Sequence, residues 1–404
     1  MISDTAAHSH PPEAFLPAAR QCAEAFLCLV ILLLTGCAVT PPVTTTGPQN
    51  IPPLIDDADR PSLIRATEHQ LSYLRRLPPG STVTIQGDTY TTAWLAESLR
   101  LFLDIINKNP APEELDGILR KEFTIYQAPG RTEAPAGEMI ITGYYEPFLE
   151  GSLVKKPPFV HPLYTKPDSL CIRNDLSTGK PLIGRFDAGG NLVPYWTRAE
   201  MEDKNLLAGN ELVYVKDPVD AFFLQIQGSG RIRLRDGSIR LVHVSASNGR
   251  EFKSIGKLLV DENKMPGAAA SMQAIKRYLH EHPAEIRRVL HYNPRFIFFR
   301  WEKSGPIGSI GEGLTPGRSI AIDRDALPTA VIGYLVTRRP VVDKNGTVVG
   351  WEPLRRFVLP QDSGTAIKGT GRVDFFWGHG NDEEAMAGQM KEKGQLYFLV
   401  KRRP

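Results

Sequence analysis

At 404 residues, with 42% apolar and 23% charged side chains, the chain has an ordinary globular composition and is long enough for two cores behind a leader. A formal charge of only +3 excludes a dedicated nucleic-acid binder, whose basic residues would dominate one face. The 35 glycines and 33 prolines suit short strands and turns better than a helical bundle, and only one of the four cysteines, Cys171, lies past residue 37, so no internal disulfide can brace the body.

In chain order, Ala25 to Leu34 is an apolar run of signal-peptide length, too short to span a bilayer. It ends in Leu34-Thr35-Gly36-Cys37, which resembles the lipobox at which bacterial lipoproteins are cleaved and lipidated on cysteine. Residues 1–37 therefore read as a lipoprotein signal peptide and 38–60 as a Pro/Thr-rich linker. Ala38 stands where an aspartate would retain a lipoprotein at the inner membrane, so the lipobox implies anchoring at Cys37 to the periplasmic face of the outer membrane.

The mature chain opens on helical patterns. Arg60 to Leu77 carries a stripe of Leu63, Ile64, Leu71, Leu74 and Leu77, and Thr91 to Ile106 a broader face including Trp94, Leu95, Leu99 and Phe102. Pro112 to Lys121 begins with proline and two glutamates, as a helix start should. From Phe123 the texture changes to strands, first Phe123 to Tyr126 and then Glu138 to Tyr145. Residues 147–302 hold many short strands, Asp220 to Gly228 among them, closed by helices at Ala268 to His280 and Ala284 to Leu290. Strands return at Ser319, Ala330, Arg355 and Arg372, and a last helix runs from Asp382 to Lys393 with Gly394 at its end. Evenly spaced short strands favour barrels.

The stretch most informative for chemistry runs from Gln361 to Gly378 and holds Asp362 and Asp374 on either side of a glycine-rich turn. In the strand Arg372 to Trp377 the pleat puts Val373, Phe375 and Trp377 on one face and Arg372, Asp374 and Phe376 on the other. A carboxylate beside an aromatic ring and screened from water is pushed toward its neutral form, as a general acid requires. Asp323 supplies a third aspartate at a strand end, where a turn-capping role is the plainer alternative; Asp362 could likewise be a turn-former before Ser363-Gly364. His243 and His379 show no metal-ligand spacing, so neither a metal nor another cofactor is expected.

Asp323, Asp362 and Asp374 in these contexts resemble the three-aspartate module of double-psi barrels that act on cell walls. Thr142-Gly-Tyr-Tyr-Glu-Pro147, Gln225-Ile-Gln-Gly-Ser-Gly230, Ser254 to Leu259 and Asn293 to Phe299 are similar, in the same order, to the membrane-bound lytic transglycosylase A family. Thr365 stands where the family has glycine. The resemblance implies a mainly β fold: a double-psi β-barrel domain built from residues 61–146, with N-terminal helices, and 303–404, and a second β-barrel domain inserted at 147–302.

The resemblance further implies Asp374 as the catalytic acid, with Asp362 and Asp323 supporting it. Thr142, Tyr144, Gln225 and Gln227 would line a groove for glycan strands of peptidoglycan, and Tyr144, Tyr145 and Phe376 could stack on sugar rings. The reaction implied is non-hydrolytic cleavage at N-acetylmuramic acid. Two alternatives stay open: a hydrolase using Asp374 with Asp362, and a non-catalytic peptidoglycan-binding lipoprotein. Carboxylates roughly 5–5.5 Å apart would suit a retaining hydrolase and roughly 6.5–9.5 Å an inverting one.

Overall fold

The computed structural model describes residues 51–404 except 79, 175–180, 268–269, 344–346 and 365, so Cys37, the leader, most of the linker and Thr365 lie outside the described residues. The described chain opens with α1 (Arg60–Arg76), the hairpin β1 (Thr82–Ile85) and β2 (Asp88–Thr91), α2 (Thr92–Asn107), α3 (Pro112–Glu122) and β3 (Phe123–Gln127). Asp59 caps α1 by accepting from the Ser62 N–H at 2.8 Å, and Thr91 caps α2 by accepting from the Trp94 N–H at 3.2 Å. Their apolar faces join a core in which Phe102 of α2 meets Phe357 edge-on, with 5.2 Å between ring centroids. Fully buried Arg318 fastens the preceding segment, donating to Asp56 at 2.8 Å, the Asp59 carbonyl at 2.7 Å and Ser62 Oγ at 2.9 Å.

After β4 (Met139–Tyr144) the chain leaves for a second sheet. Its strands are β5 (Phe148–Ser152), β6 (His161–Tyr164) and, beyond a small three-stranded sheet of β7 (Cys171–Asn174), β8 (Pro181–Phe186) and β9 (Leu192–Pro194), β10 (Glu211–Val215), β11 (Ser229–Leu234), β12 (Ile239–Ser247) and β13 (Ile297–Glu302). The six pair in the order β13-β12-β11-β5-β10-β6, with β11 and β5 parallel. Helices α4 (Arg198–Asp203), α5 (Pro218–Gln227), α6 (Ile255–Asp261), α7 (Met272–Glu281) and α8 (Ile286–Tyr292) accompany it. Cys171, unpaired, is half-buried on β7.

The chain then returns through β14 (Ser319–Ala321), β15 (Ile332–Val342), β16 (Val348–Asp362), β17 (Arg372–Phe376), α9 (Asn381–Gln389) and β18 (Lys391–Lys401). These strands and β4 form a ring, β15-β16-β14-β17-β4-β18, which the β15–β18 pairing closes, while β3 lies outside β18. Closure leaves no free edge within the ring, and Ile141, Ile320, Leu335, Phe357, Val373, Phe375 and Leu396 in its core are completely buried.

Two sequence expectations are corrected. Asp220 to Gly228 is not a strand; it belongs to α5, which Asp217 caps by accepting from the Val219 N–H at 2.6 Å and Gly228 ends at φ 84°. Its even run of apolar residues is that of a helix buried nearly all round, between sheet and helices, and periodicity cannot tell that from a buried strand. Lys391 to Lys393 are not the end of the last helix. They open β18, where pairing of Lys391–Gly394 with β4 closes one seam of the barrel and overrides helix propensity.

Candidate functional site

The barrel strands meet in a register that gathers the carboxylates. Ala321 of β14 pairs with Asp374 of β17 on one side and with Asp362 of β16 on the other, and Asp374 in turn pairs with Thr142 of β4. One row across four strands therefore reads Asp362, Ala321, Asp374, Thr142, with side chains on one face. The two aspartates are two strand spacings apart, roughly 10 Å at the backbone. Asp362 reaches this row only through a bulge: Ile320 pairs with Pro360 and Ala321 with Asp362, skipping Gln361. Gln361 is fully buried, donating to the Ala66 carbonyl at 2.7 Å and accepting from Ser319 Oγ at 2.6 Å.

Asp374 keeps 17% of its side chain exposed. Thr142 Oγ1 donates to its Oδ1, and the Arg372 fork spans the carboxylate, Nε to Oδ1 at 3.2 Å and Nη2 to Oδ2 at 3.5 Å. Burial raises the Asp374 pKa to about 6 against the pull of Arg372. Asp362 is also raised to about 6 by burial, although it accepts from the Ser309 N–H at 2.9 Å and from the Tyr144 hydroxyl at 3.0 Å. Tyr144 is itself pushed well above the usual phenol range, by burial first and then by the Asp362 charge. Two carboxyls near 6 within one row are equipped to hold and release a proton near neutrality.

These residues form one wall of a cleft of about 530 Å³. Asp362, Asp374, Arg372 and Tyr144 contribute from the barrel side, and Gln225, Gln227, His243 and Arg295 from the second sheet and its helices. Gln225 Oε1 is committed to Arg198 Nη2 at 2.7 Å and the Ile297 N–H at 3.1 Å, and Gln227 Oε1 to the Tyr145 N–H at 3.2 Å. Thr142 lines an adjoining hollow of about 260 Å³ that shares Gln227 with the main cleft. Asp323 stands apart from the cleft lining: its Oδ1 accepts from the Asp325 N–H at 3.2 Å and its Oδ2 from the Gly369 N–H at 2.7 Å, so it ties a turn to the loop between β16 and β17.

Of the aromatics expected to meet sugar, Tyr145 and Phe376 are buried, at 2% and 1% exposure, because each packs into the wall; Phe376 lies 5.1 Å from the Tyr144 ring. The exposed aromatic lining the cleft is Phe252, at 36% exposure, which no sequence pattern marked. The sequence marked Ser309 by no pattern, and held Arg295 within the Asn293 to Phe299 motif without a role for it. Arg372 it placed on the Asp374 face without a role, though the i, i+2 spacing on a strand already put the two side by side.

Residues 140–300 match the family model described as the MltA specific insert domain, and residues 318–400 match the 3D domain. The membrane-bound lytic murein transglycosylase A of Escherichia coli (strain K12) is 30% identical over 266 residues, which cover 65% of this chain and 66% of that protein, just short of two thirds of its length. The solved lytic transglycosylase LtgG of Burkholderia pseudomallei is 32% identical, with 90% of this chain and 97% of that one covered and a TM-score of 0.53. A structure of Escherichia coli MltA with bound chitohexaose shares the fold at a TM-score of 0.67 and 23% identity, over 90% of this chain and 96% of that one. With these neighbours the closed six-strand ring is a double-psi barrel in a mainly β chain, as the aspartate contexts implied. The chain belongs to the membrane-bound lytic murein transglycosylase A family.

Proposed function

We propose that this chain is a peptidoglycan lytic transglycosylase, cleaving the β-1,4 bond from N-acetylmuramic acid to N-acetylglucosamine and leaving 1,6-anhydro ends, with Asp374 as its single acid–base. The observation that carries the proposal is a carboxyl raised to about 6, open to a cleft and held at both oxygens by Thr142 and Arg372. Protonated Asp374 donates to the bridging oxygen as the bond to C1 breaks toward an oxocarbenium-like state. The muramoyl C6 hydroxyl closes onto C1 and gives its proton to the new carboxylate, so the acid is restored and no water is consumed. Tethering of that hydroxyl to the reacting ring supplies roughly 7–11 kcal/mol that a free water lacks.

Asp362 acts as a supporting residue in this reading, since both its oxygens are already occupied by Tyr144 and Ser309. Thr142, Tyr144, Gln225 and Gln227 bind the glycan, Phe252 offers a sugar face, and Asp323 holds the loop behind. The binding of chitohexaose by the Escherichia coli relative supports a glycan in the cleft. The same reading treats 61–146 with 303–404 as the double-psi barrel domain and 147–302 as the inserted one. It also keeps Cys37 as the lipid anchor to the outer membrane, with the enzyme facing the periplasm. The names of the relatives support the membrane; Cys37→Ser should give an unlipidated precursor lost from the membrane fraction.

The test of the reaction is product mass. Digested peptidoglycan should yield muropeptides one water lighter than hydrolysis products and without a reducing end at muramic acid. Reducing ends in their place would mean a hydrolase, and tight binding without cleavage a silent binding module.

A further inference from the structure

Two guanidinium groups line the cleft, and their surroundings differ. Arg372 faces Asp374. Arg295, on the opposite wall, is half-buried and makes a single side-chain hydrogen bond among the described residues, from Nη1 to the Arg250 carbonyl at 3.1 Å. No carboxylate among the described residues pairs with it. Three other arginines of the same sheet and its helices do pair with carboxylates, Arg198 with Glu202 at 3.5 Å, Arg231 with Glu146 at 2.7 Å and Arg300 with Glu302 at 3.0 Å, while Arg233 and Arg240 lie over the Phe148 and Trp301 rings. Desolvation pushes the Arg295 pKa down with nothing opposing it, the signature of a cation that has lost water and gained no counter-charge. Such a group has donors to spare in a fork suited to a carboxylate, and a cleft that already shields it from water.

We propose that Arg295 is a specificity-determining residue that reads a carboxylate on the substrate, so that the cleft prefers acid-bearing muramoyl glycan over a neutral N-acetylglucosamine polymer of the same backbone. This rests on the peptidoglycan reading above and deepens it. Two sources share the chemistry: the lactyl acid on muramic acid where the peptide has been removed, and the acids of the stem peptide where it remains. His243, which also lines the cleft, is the poorer partner for an acid, since burial first and Arg300 second push its pKa down.

The test compares the parent protein with Arg295→Gln and Arg295→Lys on three soluble ligands: peptide-bearing glycan strands, amidase-stripped strands, and chitohexaose. Dissociation constants come from calorimetry and KM and kcat from release of anhydro ends. Arg295→Gln should weaken at least one acid-bearing ligand by about ten- to hundred-fold, the worth of a shielded charged hydrogen bond, through KM more than kcat. Chitohexaose affinity should stay within about two-fold, and Arg295→Lys should recover part of the loss. Loss on stripped strands identifies the lactyl acid, and loss confined to peptide-bearing strands identifies the stem. Unchanged affinity for both acid-bearing ligands overturns the proposal, as does an equal loss on chitohexaose, which would mean that Arg295 only shapes the wall. A parent protein that binds all three yet leaves no anhydro ends would instead sink the proposed reaction, with the charge comparison still readable from binding.

Discussion

In the closed barrel the residues facing the cleft are fixed by strand register, whereas on the six-stranded sheet they stand at a helix end, on a strand and at its margin. Asp362, Ala321, Asp374 and Thr142 form one row because four hydrogen-bonded strands leave them no other arrangement. Gln225 and Gln227 sit in the last turn of α5, and Arg295 just ahead of β13. The first construction suits a proton donor, which loses most of its use when misplaced by an ångström. The second suits groups that meet a long ligand at several points along it. The proposed reaction thus places its chemistry on the closed ring and its recognition on the second sheet and its helices.

The largest effect belongs to the barrel row. Asp374→Asn keeps the shape and the Thr142 and Arg372 neighbours but removes the exchangeable proton, so turnover should fall by roughly 10²–10⁴-fold while glycan affinity persists. A variant within a few-fold of the parent would rule out Asp374 as the acid. Equal loss in Asp362→Asn would instead favour a two-carboxylate hydrolase.

The same pair makes a prediction in pH. Their folded pKa values, about 6, lie above the ordinary 3.8, so the folded state binds these protons more tightly than the unfolded chain. That contribution to stability is fully present below about 3.8 and lost as pH rises through about 6, a cost on the order of 3 kcal/mol per carboxyl. Asp374→Asn should therefore be more stable than the parent at pH 8, and the difference should close near pH 4, followed by chemical denaturation. Turnover, which needs the protonated acid, should decline as pH rises through about 6. Arg372→Gln removes the group that holds Asp374 down and should move that decline to higher pH.

Much of the barrel side was legible because strand alternation is a local rule. Val373 and Phe375 lie inward and Asp374 and Arg372 toward the cleft, as the pleat of a single strand dictates. The position of Asp362 was not legible in that way. It depends on a bulge at Gln361, which depends on contacts with Ala66 and Ser319 far along the chain. The opposite wall was harder still: α5 reads as a strand until its Asp217 cap, Pro218 and Gly228 are weighed against its apolar run. Phe252, Ser309 and Arg295 belong to no periodic element, so only the fold brings them to the cleft.

A smaller effect tests how tightly the barrel row is framed. Gly143 lies between Thr142 and Tyr144, and a Cβ there would come within 2.7 Å of Trp377 Nε1 and 2.8 Å of the Ala387 Cα. The glycine lets α9 lie against β4, and Gly143→Ala should cost about 1–3 kcal/mol of stability through overpacking. The thermal midpoint should fall accordingly, and turnover should fall further than the midpoint alone explains because both flanking side chains touch the acids. An unchanged midpoint would show that α9 is free to move aside.

The smallest effect is expected at Asp323, and its size decides whether the third aspartate is chemical or architectural. It lies two residues past the end of β14, holds the Asp325 and Gly369 N–H groups and contributes nothing to the cleft lining. Gly369 belongs to the loop whose Ala366 carbonyl accepts from Arg372 Nη1 at 3.2 Å, so the path from Asp323 to Asp374 runs through a backbone and a guanidinium. Asp323→Ala removes two half-exposed hydrogen bonds worth about 1 kcal/mol each, and the loop is also held by Thr370 Oγ1 on the Gly130 carbonyl at 2.6 Å. Turnover should therefore drop only a few-fold, with the pH of its decline unmoved, and Asp323→Asn, which keeps one of the two acceptor oxygens, should recover part of the loss. A drop approaching that of Asp374→Asn, unrelieved by asparagine, would mean that the Asp323 charge itself takes part in the reaction and that the chemistry extends beyond the four-strand row.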